Sequence, residues 1–234
     1  MSNSDKECDP EIAIESNRLI LCEGSQDQAF FRHLISDRNL PSFDVVFPGH
    51  PRTDLGGTSG FGQMLEALST NPGFRNLTEI LVVADNDDSP PDRFNFIAQQ
   101  IGGAEGFTAP QHPLEVARAP GVPPLVVMMI PWVDERGALE TLCLESAYAE
   151  SHEIRECITR YAECTSASNW SSGTSQDKMR LRCILSSRCE DDPNTGLAFA
   201  WSKKKCPRLI PLNHGCFDRV ASFLANLDAY IASH

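Results

Sequence analysis

The chain has 234 residues, 41% of them hydrophobic and 22% charged, enough to bury a sizeable core and too apolar for a disordered segment or a coiled coil. Its formal net charge of -12 argues against an electrostatic DNA binder of the ordinary kind, which is basic. No apolar run approaches the roughly 20 residues that span a bilayer, and the polar, acidic start lacks the apolar segment of a signal peptide; a cytoplasmic protein without membrane contact is expected.

In chain order, residues 1–17 read as a flexible N-terminus. Arg18 to Cys22 (RLILC) is a short apolar run ending at Glu23-Gly24, a buried strand by its length and flanks. Ser25 is placed to cap a helix whose apolar face holds Ala29, Phe30, His33, Leu34 and Ile35. Phe43 to Phe47 (FDVVF) predicts a second strand. A Gly- and Pro-rich loop, Pro48 to Gly60, leads into a helix over Phe61 to Leu68. Glu79 to Ala84 (EILVVA) predicts the third strand, ending in Asp85-Asn86-Asp87-Asp88. Pro90-Pro91 opens a helix to Ile101, since proline is tolerated in a first turn. The proline-bearing stretch Gly102 to Pro124 reads as loop, and Leu125 to Trp132 (LVVMMIPW) as the fourth strand. One long helical stretch then runs from Gly137 to about Cys164. A serine-rich break, Thr165 to Thr174, separates it from helices over Gln176 to Ser187 and Cys216 to Ala232.

Nearly all-apolar strands alternating with helices predict an α/β fold, a parallel four-stranded sheet covered on both faces, with a C-terminal helical extension. The core is expected over residues 18–150 and the extension, packed on it, over 151–234. Charge divides unevenly along the chain: residues 1–154 hold 9 basic and 24 acidic side chains, residues 155–208 hold 10 and 6. That asymmetry reads either as a solvated surface or as an acidic half holding cations beside a basic half that meets a polyanion. Nine cysteines, an odd number with no Cys-x-x-Cys, predict small buried apolar residues rather than a zinc site.

In parallel sheets ligands sit beyond the carboxyl ends of the strands. The first strand ends at Glu23, the third at Asp85 and Asp87 followed by Asp88, and Asp134, Glu135 and Glu140 follow the fourth. Adjacent parallel strands would draw these acids to one rim, where like-charge repulsion demands cations or protons. Oxygen donors of this kind suit Mg²⁺ or Mn²⁺. Asp88, Asp92, Asp134 and Glu135 read as caps or surface residues. Glu23, Asp85 and Asp87 read as metal ligands.

Leu19 to Phe31 (LILCEGSQDQAFF) followed by Ile80 to Asp88 (ILVVADNDD) resembles the two signature motifs of the TOPRIM domain, a Rossmann-like fold. Pro131 to Leu142 (PWVDERGALETL) is similar to a further motif of small standalone TOPRIM-like proteins related to overcoming-lysogenization-defect (OLD) family nucleases. It departs from them where they often read Pro-Asp-Asn and this chain reads Pro131-Trp132-Val133. The resemblance covers roughly Arg18 to Glu145. It implies divalent metal on Glu23, Asp85 and Asp87, with Asp27 matching a second acid four residues after the glutamate. It also implies a lysine near the metals, for which Lys178 is the preferred match and Lys203 to Lys205 the reserve.

The expected chemistry is Mg²⁺- or Mn²⁺-dependent hydrolysis of a nucleic-acid phosphodiester, in DNA or RNA. One or two ions would rest on Glu23, Asp85 and Asp87, with Asp27 and Glu140 in a second site or outer shell. Glu23 is alternatively a general base, and Lys178 stabilises charge at the phosphate. The resemblance further implies an effector of antiviral defence, or a partner-activated subunit beside a separate ABC-type ATPase; oligomeric state stays open. An aspartate-nucleophile phosphatase using Asp85 is a third reading, weakened by Asp88-Ser89 where a Thr or Ser is expected. Gly56 to Gly62 lacks the lysine of a phosphate-binding loop but offers backbone N–H groups at a helix start. Trp170 and Trp201 read as packing residues or as base-stacking platforms.

Overall fold

The computed structural model describes residues 13–49, 60–201 and 209–234. Most of the N-terminal stretch, Gly56 and Gly57 of the glycine-rich loop, and Lys203 to Lys205 lie outside the described residues. The sheet has five strands: β1 (Arg18–Leu21), β2 (Asp44–Val46), β3 (Glu79–Asp85), β4 (Val116–Ala117) and β5 (Leu125–Ile130), in the order β2-β1-β3-β5-β4. The four expected strands are present and mutually parallel, with β1 beside β3 from Arg18↔Glu79 to Leu21↔Val82. The fifth is a correction. Val116 and Ala117, within the stretch read as loop, pair antiparallel with Val126 and Leu125 at the sheet edge.

Side-chain alternation divides the core. Ile20, Leu81, Val83, Val126 and Met128 face α1 (Ser25–Asp37), α4 (Leu139–Glu150), α6 (Gly173–Arg188), α7 (Asp218–Ala225) and α8 (Leu227–Ser233). Leu19, Leu21, Ile80, Val82, Val127 and Met129 face α2 (Phe61–Ser69) and α3 (Pro90–Gly103). Every residue of β3 and β5 is buried, which is why these strands read as continuous apolar runs rather than alternating ones. Each fully buried Leu or Ile contributes about 1.5–3 kcal/mol, and both layers draw on them.

Three helical expectations are corrected. The stretch after Gly137 is two helices, α4 and α5 (His152–Cys164), parted at Ser151, whose extended backbone lets its hydroxyl accept the Ile154 N–H at 3.3 Å. The C-terminal helix is likewise broken at Asn226 into α7 and α8. Gly24, not Ser25, is the N-cap of α1, and Asp27 accepts its backbone N–H. Among the cysteines, Cys22 and Cys143 are buried as expected, but Cys157 and Cys164 are exposed and Cys189 is disulfide-bonded. No helix among the described residues is long and apolar enough to cross a membrane.

Gly137 shapes the approach to α4. Its φ is +130°, and a Cβ there would stand 2.5 Å from Thr141 Oγ1 and 3.0 Å from Pro131 Cγ. Both the backbone strain and the clash oppose a side chain. Gly137→Ala is expected to lower stability by about 2–4 kcal/mol, read as a fall in the denaturant midpoint; an unchanged midpoint would show that the turn relaxes freely.

Candidate functional site

The strand order places a topological switch point between β1 and β3. From β1 the chain moves outward to β2 on one side, then returns to β3 and β5 on the other. Diverging connections leave a crevice at the carboxyl ends of the two central strands, where open α/β sheets bind ligands. Glu23 stands just past the end of β1 and Asp85 is the last residue of β3.

Backbone donors organise the acids. The Asp85 N–H donates to Glu23 Oε1 at 3.0 Å, joining the two strand ends directly. Asp85 is 9% exposed, and its Oδ1 accepts the Leu139 N–H from the first turn of α4 at 2.9 Å. Asp27 Oδ2 accepts the Gly24 N–H at 3.0 Å, which turns this carboxylate back toward the start of α1. Asp87 adopts a left-handed backbone, φ +48°, a conformation aspartate tolerates better than most residues; its carbonyl accepts the Gly137 N–H at 2.8 Å. Glu23, Asp27, Asp85 and Glu140, with Lys178 opposite, line a cavity of about 290 Å³. Asp87 lies outside that wall.

Two cations meet the cluster. Arg93, in the first turns of α3, spans Glu23 Oε1 (Nη2, 3.0 Å) and Asp87 Oδ2 (Nε, 2.9 Å). Lys178 Nζ stands 3.7 Å from Asp87 Oδ1. Its position follows from Asp88, whose Oδ1 accepts the Thr174 N–H at 3.1 Å and so ties the first turn of α6 to the end of β3. Lys178, one turn further along, then faces the acids. Hydrogen bonds from Ser172 and Thr174 hold the Asp88 carboxyl below its ordinary range, consistent with the capping role expected for it.

Asp85, Glu23 and Asp27 are held above theirs. Burial raises Asp85 most, with Glu23, Asp27 and Glu140 adding repulsion that Lys178 only partly offsets. Burial also raises Glu23 against the lowering influence of Arg93 and the Asp85 N–H. For Lys178, burial pulls downward, but Glu140, Asp85, Asp87 and Glu23 outweigh it and hold the ammonium above its usual range. Asp27 is pushed up to about 7, by burial first and then by Glu23 and Glu140.

A raised carboxyl favours the folded state while it stays protonated there. Its contribution is complete below the unfolded value near 3.8 and is lost as pH rises toward about 7. Asp27→Asn keeps an acceptor for the Gly24 N–H and removes the charge. In EDTA the variant is expected to gain stability relative to the parent between pH 4 and 7, by about 2 kcal/mol after allowance for solvent screening, and no more above that. Parallel pH–stability curves for the two proteins would contradict the assignment.

All of Glu23, Asp27, Asp85, Asp87, Glu140 and Lys178 therefore meet at one rim. Asp92 accepts the Ser89 hydroxyl and Glu135 pairs with Arg219, in line with their reading as local or surface acids. Trp201 is buried and donates to Ile210 O, which removes it as a stacking platform; Trp170 is exposed. The basic run on α6 is partly spent internally, since Arg180 bonds Asp177 and Gln176 and Arg182 bonds Thr195 O. Two site residues were not legible beforehand. Arg93 was signalled only as the single base in the acid-dense stretch Asp85 to Asp92-Arg93. Asn86, fully buried, donates its side-chain amide to Trp132 O, Val133 O and Glu135 O at 2.7, 3.2 and 2.8 Å.

The donor set fits a hard divalent cation: carboxylate oxygens of Glu23, Asp27, Asp85 and Glu140 gathered on one cavity, whose mutual repulsion an ion would relieve. As they stand, no three acidic, histidine or cysteine side chains among the described residues close into a ligand shell. The hydrogen bonds explain the spacing, since Glu23 and Asp87 turn toward Arg93 and Asp27 toward its own helix start.

Fold and site together define a mostly parallel α/β protein with an acidic cluster at its switch point. The chain belongs to the DUF3226 family, proteins of unknown function, whose model matches residues 17–228. No curated protein and no solved structure matches it.

Proposed function

We propose that the chain is a TOPRIM-like hydrolase that cleaves nucleic-acid phosphodiester bonds with Mg²⁺ or Mn²⁺. The observation that carries this reading is the junction of Glu23 and Asp85 across the central strands, with Asp27, Glu140 and Lys178 on the same cavity. Glu23, Asp85, Asp27 and Glu140 would hold the cation, and Asp87 would support them from behind. When bound, the ion supplies Lewis-acid polarisation of a phosphoryl oxygen. Lys178 faces the cavity as a fixed positive charge and stabilises the negative charge that develops on the phosphate. Alternatively Glu23, with Oε1 anchored by the Asp85 N–H and Arg93, would take a proton from the attacking water on its other oxygen in place of holding the ion. A new P–O bond forms to that water, the P–O bond to the leaving nucleotide breaks, and the proton passes to the departing oxygen.

The test is incubation of the purified chain with labelled single- and double-stranded DNA and with tRNA, in Mg²⁺, Mn²⁺ or EDTA. Cleavage in either metal and none in EDTA is expected. Cleavage indifferent to EDTA removes the mechanism. A second reading, a subunit that works only beside a separate ABC-type ATPase, draws support from the pairing of Glu23 and Asp87 with Arg93, which leaves the carboxylates spread in the chain alone. Activity appearing only in the reconstituted complex would favour it.

A further inference from the structure

Glu23 and Asp87 stand on neighbouring strand ends with a cation between them, which is the relation two carboxylates take when they share a metal ion. Here the cation is a side chain. Arg93 reaches Glu23 Oε1 with Nη2 at 3.0 Å and Asp87 Oδ2 with Nε at 2.9 Å, and the same Nε lies 3.4 Å from Asp85 O. Lys178 approaches the other oxygen of Asp87 at 3.7 Å, so both its oxygens face a basic group. Glu23 also lines the cavity with Asp27, Asp85 and Glu140, whereas Arg93 and Asp87 do not. A guanidinium stays charged at every working pH and its fork matches carboxylates at fixed angles.

We infer that Arg93 is a built-in cation occupying the seat of a second metal, so that the site takes one divalent ion per chain and Asp87 is kept from ligating it. The inference rests on the divalent-metal reading above and specifies its stoichiometry. Two-metal phosphodiesterases hold their ions about 3.5–4 Å apart, one on each reacting oxygen. In this chain the second charge is supplied by the protein and needs no loading step. Arg93 is a positioning residue: it fixes Glu23 and Asp87 and acts on the reaction through them.

The experiment is Mn²⁺ titration of the full chain by calorimetry, with electron paramagnetic resonance of the loaded protein. The parent is expected to bind one Mn²⁺ with an uncoupled spectrum. Arg93→Ala is expected to bind two, with the exchange coupling of neighbouring ions, and Arg93→Lys, which keeps the charge, is expected to stay at one. Two coupled ions in the parent would overturn the inference without any variant, so a variant that folds poorly does not protect it. A single ion in folded Arg93→Ala, or two in Arg93→Lys, would overturn it as well. Absence of Mn²⁺ binding from all three proteins would instead sink the metal reading itself, an outcome distinct from binding with the wrong count.

Discussion

Glu23→Gln and Asp85→Asn should each reduce metal-dependent cleavage by at least about a hundredfold, the loss typical when one preorganised electrostatic group is removed from a reacting centre. Both substitutions are nearly isosteric. An amide oxygen at position 85 can still accept the Leu139 N–H, and one at position 23 can still accept the Asp85 N–H. What disappears is a negative charge in a cluster whose members already repel each other and resist ionisation. Stability in EDTA should therefore hold or rise, by about 1 kcal/mol. Lost activity with kept or increased stability is the pattern of a site whose strain serves function. The pair is diagnostic because purely structural acids would behave oppositely, unfolding more readily with activity falling only in proportion. Variants that cleave at the parental rate would remove these carboxylates from the chemistry.

The central strands and their acidic ends were legible because burial on both faces leaves uninterrupted apolar runs, and because each run stops at a carboxylate. Glu23, Asp85 and Asp87 could be named from that alone. β4 could not: two residues, Val116 and Ala117, carry no periodicity and owe their strand state to the β5 edge beside them. Ser151 and Asn226 also hid, since each interrupts a helical pattern by a cap or a turn without Gly or Pro. Arg93 belonged to a different difficulty. Its importance comes from Glu23, which is 70 residues away in the chain, and locally only its place as the one base after a run of acids marks it. Side chains that join elements distant in sequence reveal themselves only when the sheet order is known.

Asn86 is the sharper instance, and it sets the other large expectation. It lies between the two strand-end aspartates and is fully buried. Its backbone N–H donates to Ile130 O at 2.8 Å, while its amide nitrogen faces three carbonyls of the turn after β5. Its own Oδ1 is buried with no hydrogen-bond partner among the described residues. The alternative amide orientation would aim that oxygen at three others, so the demand of the carbonyls fixes the side chain. Leucine at this position fills similar space and donates nothing, leaving those part-buried carbonyls without their donor. Asn86→Leu is accordingly expected to cost about 2–4 kcal/mol in chemical denaturation. Asn86→Asp should cost more, because it places a carboxylate against the same oxygens. The turn it clamps leads directly to Gly137 and Leu139, whose N–H groups hold Asp87 O and Asp85 Oδ1. Cleavage should therefore fall in the leucine variant even at temperatures where it remains folded, with Mn²⁺ affinity reduced alongside. If Asn86→Leu unfolds within about 0.5 kcal/mol of the parent, a difference ordinary for surface substitutions, the turn is held by something other than this amide.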